Sequence, residues 1–166
     1  MSRVVELRDI VTDADRAAVL GLTIAPGQDR FVASVEQSFA HAIRDARAVP
    51  RMWAIADATD GTVVGFAMIS DGIPEATLAA EPDLVGPYYL WRLLIDRRFQ
   101  RQGYGTATLD ALVAYVRTRP GADTLWVSAG QGPGTPQPFY ERYGFVATDR
   151  IVEEEVVLGL DLRPSR

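Results

Sequence analysis

Between Arg97 and Leu112 the chain reads RRFQRQGYGTATLDAL, and two glycines one residue apart open what is otherwise an amphipathic helix. Glycine inside a helix costs roughly 1 kcal/mol relative to alanine, so Gly103 and Gly105 must serve something other than helix propensity. The first four amides of a helix have no partner within it and stand at the positive end of its dipole, where an anion docks directly. Without Cβ atoms at 103 and 105, phosphate oxygens can approach that backbone to hydrogen-bond distance. Arg97, Arg98 and Arg101 add positive charge beside the same turn. The spacing fits neither of two familiar phosphate loops. The chain has no lysine for a Gly-Lys-Ser/Thr loop, and the third glycine of G-x-G-x-x-G would be Thr108. On these residues alone, a tight loop opening a helix with nothing bound remains an open alternative.

The elements around this loop follow from periodicity. PYYLWRLLID, just before it, has apolar groups on both faces and reads as a central strand. The helix after it carries Leu109, Leu112, Val113 and Val116 on its buried side and stops at Pro120-Gly121, and DTLWVS is the next strand. Strand, helix and strand form a βαβ unit. Upstream, RVVELRDI alternates as a first strand, and Thr12 or Asp13 caps a short helix through Leu20. A second helix has Val32, Val35, Phe39 and Ile43 on one face, and Pro50 ends the approach to the next element. RMWAIAD and TVVGFAMIS flank Asp60-Gly61 as a hairpin. Asp71 to Gly86 reads as a loop, AGQGPGTPQP as irregular, and Phe139–Arg142 as a short helix before two closing strands, FVATD and EEEVVLGLDL. The last strand is expected to be an exposed edge able to pair between subunits.

Composition narrows the function classes. A chain of 166 residues, 48% hydrophobic and 23% charged, is expected to form one globular domain, 1–166, with a sizeable core. A net charge of −5 argues against a general nucleic-acid surface. No apolar run approaches the roughly 20 residues that span a bilayer, and MSRVVELRDI lacks a secretory h-region, so a cytoplasmic protein without a membrane partner is expected. Zero cysteines exclude a disulfide framework, a thiolate nucleophile and a cysteine metal site, and no metal is expected.

The segment LWRLLIDRRFQRQGYGTATLDAL resembles the acetyl-CoA motif of the GNAT N-acetyltransferases: an apolar strand, then Q/R-x-x-G-x-G/A opening a helix, matched at Gln100, Gly103 and Gly105. FYERYGF, at Phe139–Phe145, is similar to the family's second signature, about 35 residues after Gly105 and beyond one further strand. Element order over residues 3–162 fits as well. The resemblance implies a single-domain α/β fold with a mixed, mostly antiparallel sheet of about seven strands and flanking helices. It also implies an acetyl-CoA-dependent N-acetyltransferase, working by direct attack of an amine in a ternary complex, and a homodimer, which is common in the family. PGQDRFVAS, GFAMI, YYLWRLLID and GYG are loosely similar to the spermidine/spermine-type small-amine acetyltransferases, over about half the chain. Acceptor classes left open are a small-molecule primary amine (polyamine, amino acid, antibiotic or related metabolite) and a protein terminus or lysine. A non-catalytic acyl-CoA-binding domain is the third reading.

By the same resemblance, the amides of Arg101, Gln102, Gly103, Tyr104, Gly105 and Thr106 hold the cosubstrate's pyrophosphate. Main-chain groups of Leu93, Leu94 and Ile95 meet the pantetheine arm and acetyl carbonyl, and Tyr140 protonates the departing thiolate. Tyr88, Tyr89, Trp91 and Glu75 are expected at the acceptor pocket. His41, Glu36, Asp71, Glu75 and Glu81 are candidates to take the amine's proton, whereas Glu153-Glu154-Glu155 reads as a surface strand start. One departure stands out: the family often has an asparagine about seven residues before the tyrosine, and this chain has none.

Overall fold

The structure is a computed structural model describing residues 2–165. Its strands are β1 (Val5–Asp9), β2 (Pro50–Asp57), β3 (Val63–Asp71), β4 (Tyr88–Ile95), β5 (Thr124–Ala129), β6 (Val146–Val152) and β7 (Glu155–Asp161). Its helices are α1 (Asp13–Leu20), α2 (Val35–Arg44), α3 (Glu75–Ala80), α4 (Tyr104–Arg117) and α5 (Gln137–Tyr143). The seven strands form one sheet in the order β1-β2-β3-β4-β5-β7-β6, antiparallel except between β4 and β5, which α4 connects.

Each face of the sheet buries its own core. On one side Val19 of α1 and Val35, Phe39 and Ala42 of α2 pack on Ala54, Phe66, Met68 and Leu94. On the other, Leu109, Leu112, Val113 and Val116 of α4 pack on Ile55, Val64, Ile69, Leu90, Leu125 and Leu158. The α4 stripe is the one its periodicity predicts. Thr12 and Ser34 close capping boxes at α1 and α2, satisfying amides that would otherwise be orphaned.

Four expectations need correction. Ile43 is 83% exposed, because α2 starts at Val35 and turns Val35, Ser38, Phe39 and Ala42 inward. Residues 75–80 form a helix, a turn and a half after Pro74, too short and too exposed for periodicity to mark it. Pro50 begins β2 rather than ending the approach to it. The last strand is not an edge: β7 lies between β5 and β6, leaving β1 and β6 as the sheet's edges. The hairpin that inserts it turns on Glu153 and Glu154, with φ of 49° and 67°, a left-handed conformation usually given to Gly or Asn.

A buried carboxylate joins the α1–α2 loop to the β4–α4 junction. Asp96, with no exposed side-chain surface, accepts from the Thr23 amide at 2.9 Å, the Arg98 amide at 2.9 Å and Arg98 Nε at 2.8 Å. The Arg97 amide returns a bond to the Thr23 carbonyl at 2.8 Å. Burial pushes the Asp96 pKa up, but the bonds from Arg98 and Thr23 outweigh it and hold the carboxyl at about 2. A folded pKa below the unfolded one stabilises the fold fully above the unfolded value, near 3.9, and less as pH falls toward 2. Asp96→Asn is therefore expected to lose about 2.5 kcal/mol at pH 7. Urea titrations should show the gap from wild type narrowing between about pH 4 and pH 2; a gap independent of pH would contradict this account.

Candidate functional site

β4 and β5 pair only at Tyr89 with Trp126 and Leu90 with Val127, then part. Beyond Leu90, β4 keeps its β3 partners, Ala67 to Leu93, Phe66 to Leu94 and Gly65 to Ile95, but has no strand on its other side. The Leu94 carbonyl points at β3, lying 2.4 Å from where a Cβ on Gly65 would sit. Backbone alternation therefore turns the groups of Leu93 and Ile95 into the gap. One is already used: Gln100 Nε2 donates to the Ile95 carbonyl at 2.9 Å.

The gap opens into a cleft of about 1060 Å³. Leu93, Leu94, Ile95, Gln100, Arg101, Gly103, Gly105 and Thr106 line it on one side, and Tyr89, Trp91, Tyr140, Ser128 and His41 also contribute. The α1–α2 loop crosses over it, laying Phe31 against Gly130 of the β5–α5 loop. Arg150 of β6 binds the carbonyls of Pro82, Leu84 and Val85 at 3.0–3.1 Å, fixing the α3–β4 loop whose residues 83–85 form another wall.

At the head of α4 the two glycines have different reasons. Gly103 is the N-cap with φ 89°, the left-handed region that glycine enters without strain, and it offers no side-chain cap. The first intrahelical amide is that of Ala107, bonded to the Gly103 carbonyl at 3.1 Å, which leaves the Tyr104, Gly105 and Thr106 amides without a helical partner. Gly105 is needed for a close approach: a Cβ there would meet Phe139 Cζ at 3.1 Å. Its bareness seats α5, and thereby Tyr140, against α4. Gln100 likewise acts on the scaffold, exchanging amide hydrogen bonds with Gln28 at 2.8 and 3.1 Å while holding Ile95. Arg98 is committed to Asp96, whereas Arg101 and Arg142 line the cleft.

Tyr140, at the centre of α5, is 7% exposed, packs edge-on against Phe145, and lines the cleft. Burial raises its pKa well above the usual phenol value, so it is protonated at any working pH. Glu155 lines the same cleft, and burial raises its carboxyl above the usual range. Its position was invisible in sequence, because only the β6–β7 turn carries this end of the chain inward. Ser128 and Thr135 line the segment where the family asparagine is missing, and the Thr135 hydroxyl donates to the Gly130 carbonyl.

Several expected site residues stand elsewhere. Tyr88 points into the α4-side core, its hydroxyl donating to the Pro120 carbonyl at 2.6 Å. Glu75 is exposed at the start of α3, outside the cleft lining. Tyr104 turns inward to Asp57 at 2.5 Å, and exposed Gln102 donates to the Arg98 carbonyl at 3.1 Å, so neither side chain lines the cleft. Among the proposed bases, Asp71 accepts from Tyr115 at 2.6 Å and Arg119 at 3.0 Å, Glu81 pairs with Arg47 at 3.5 Å, and Glu36 is exposed. Among the described residues no cluster is placed to hold a metal, and no helix is long and apolar enough to cross a membrane.

The chain is similar to several known proteins. The spermine/spermidine N(1)-acetyltransferase of Bacillus subtilis (strain 168) is 28% identical over 135 residues, covering 81% of this chain and 84% of that protein. The ribosomal protein bS18-alanine N-acetyltransferase of Haemophilus ducreyi is 31% identical over 83 residues, 50% of this chain and 48% of that protein. An aminoglycoside 6'-N-acetyltransferase solved with coenzyme A superposes with a TM-score of 0.65 at 14% identity, covering 98% of this chain and 99% of the other. The model of the acetyltransferase (GNAT) family matches residues 11–145. With its parted β4 and β5, uncapped α4 and matching family model, the chain belongs to the GNAT acetyltransferases and is an N-acetyltransferase.

Proposed function

We propose that this protein transfers the acetyl group of acetyl-CoA to the primary amine of a small molecule, by direct attack in a ternary complex in the cytoplasm. The observation that carries the reading is a backbone unsatisfied in two places at once: the open edge of β4 and the uncapped amides of α4, both facing one cleft. The amides from Arg101 to Thr106 suit a pyrophosphate, with Arg101 and Arg142 lining the same cleft. The free groups of Leu93 and Ile95 suit an extended amide-bearing arm, and a donor among them would stabilise the carbonyl oxygen as it gains charge.

As the amine attacks, an N–C bond forms, the C–S bond breaks, the nitrogen loses a proton and the sulfur gains one. Tyr140 is the residue assigned to the sulfur. A phenol raised by burial is a reluctant acid toward a thiolate whose pKa is about 8.5 by analogy with cysteine. It therefore works as a hydrogen-bond donor that completes transfer only as the amine's own proton becomes available. Glu155, within electrostatic reach of Tyr140 and raised by burial, suits the receiving end of that proton.

Isothermal calorimetry should detect acetyl-CoA binding to the purified protein, and no heat of binding would remove the reading. Tyr140→Phe is expected to lower kcat by about 100-fold or more with cofactor affinity nearly intact; unchanged turnover would release Tyr140 from its role. Gly105→Ala should push Phe139, and Tyr140 with it, costing roughly 10-fold in kcat. Its thermal midpoint should stay near wild type, since alanine recovers up to about 1 kcal/mol of helix propensity. A kcat equal to wild type would show that α5 is not set by this contact.

A further inference from the structure

Arg92 is a cation lining the cleft to which the proposed acetyl-CoA contacts give no role. It reaches the cleft through a β-bulge: Met68 pairs with Arg92 but Ile69 pairs with Leu90, so Trp91 is an extra residue. Alternation breaks there. Leu90 belongs to the α4-side core, Trp91 packs on the α2-side core, and Arg92 follows it to meet His41 of α2.

Only part of the guanidinium is engaged. Nη1 donates to the Trp91 carbonyl at 2.8 Å, Nη2 lies 2.9 Å from His41 Nδ1, and buried Nε has no partner. Arg92 forms no ion pair among the described residues. Toward an arginine, Nδ1 must be the acceptor, so His41 is neutral with its proton on Nε2; burial and the Arg92 charge both lower its pKa. His41 thus orients Arg92 and does not neutralise it. Tyr89, Glu155 and Glu153 act on Arg92 only from a distance, none within ion-pair reach.

A partly buried, unpaired guanidinium costs several kcal/mol unless something compensates it. Its planar fork matches a carboxylate. We propose that Arg92 binds a carboxylate on the acceptor, so that the acceptor is an amine of amino-acid type rather than a polyamine. The cleft then holds a zwitterion: the carboxylate at Arg92, and the amino group toward Glu155 and Tyr140. A polyamine, cationic at each nitrogen, brings no counter-charge to Arg92 and meets repulsion there. This inference rests on the acetyltransferase reading.

The test is steady-state CoA release with matched pairs: amino acids having one to four carbons between amine and carboxylate, each beside its decarboxylated amine, with spermidine included. Wild type should favour the carboxylate member of at least one pair by roughly 10- to 100-fold in kcat/KM and outperform its own spermidine rate. Arg92→Met should collapse that ratio toward one, and Arg92→Lys should restore it in part, with calorimetric acetyl-CoA affinity confirming an intact fold. Wild type acting on spermidine or a decarboxylated amine as well as on every amino acid overturns the inference while leaving the acetyltransferase reading in place. A carboxylate preference unchanged in Arg92→Met also overturns it. Absence of acetyl-CoA binding overturns the underlying reading instead.

Discussion

β4 and β5 hydrogen-bond over two residue pairs and then separate, and the rest of the cleft depends on that separation. An unpaired strand edge inside a sheet leaves donors and acceptors that water or a ligand must satisfy. The separation is held from several sides. Gln100 ties the end of β4 to Gln28, Asp96 ties the same junction to Thr23, and Phe31 closes the span over Gly130. α5 packs in the opening, with Phe139 against Gly105 and Tyr140 against Phe145. The fold keeps the gap as a built feature rather than a packing defect.

Charge in the cleft runs against the charge of the chain. The protein carries −5 overall, yet Arg44, Arg47, Arg92, Arg101 and Arg142 line the cleft, with Asp45, Asp83, Glu153 and Glu155 as local opposites. Acids elsewhere are largely engaged: Asp71 by Tyr115 and Arg119, Asp57 by Tyr104 and Arg3, Asp96 by Arg98. Net charge is thus a poor guide to an acceptor. The informative quantity is which charges lack a partner, and Arg92 lacks one at short range.

Much of this was legible in sequence because it depends on local rules. The α4 stripe, the Thr12 cap, the βαβ unit and the strand-loop-helix signature are set by residues within a few positions of one another. What sequence reading missed depends on pairing across the sheet. The bulge at Trp91 leaves no mark in PYYLWRLLID, since an extra residue in a two-faced apolar strand looks like any other. Glu155 read as a surface residue because three consecutive glutamates suggest solvent, and only β7's insertion beside β5 turns it into the cleft. Ile43 fitted a helical face that α2's actual start rotates to solvent. Gln100 and Gly105 were singled out for phosphate, and the geometry adds packing duties to both of them.

Those added duties bear on how signature and specificity divide. Gln100, Gly103 and Gly105 shape β4, the α4 terminus and the seat of α5, and on the proposed reading they prepare the cleft for one cosubstrate whatever amine enters. On the proposed reading the acceptor end is furnished by other parts: the bulge that aims Arg92, His41 on α2, and the glutamate turn between β6 and β7. None of these residues lies within the signature loop Gln100–Gly105. A relative can therefore match the loop closely and still receive a different amine. The name of a 28% identical polyamine acetyltransferase thus constrains the shared chemistry more tightly than it constrains the acceptor, which the unpaired charge at Arg92 addresses directly.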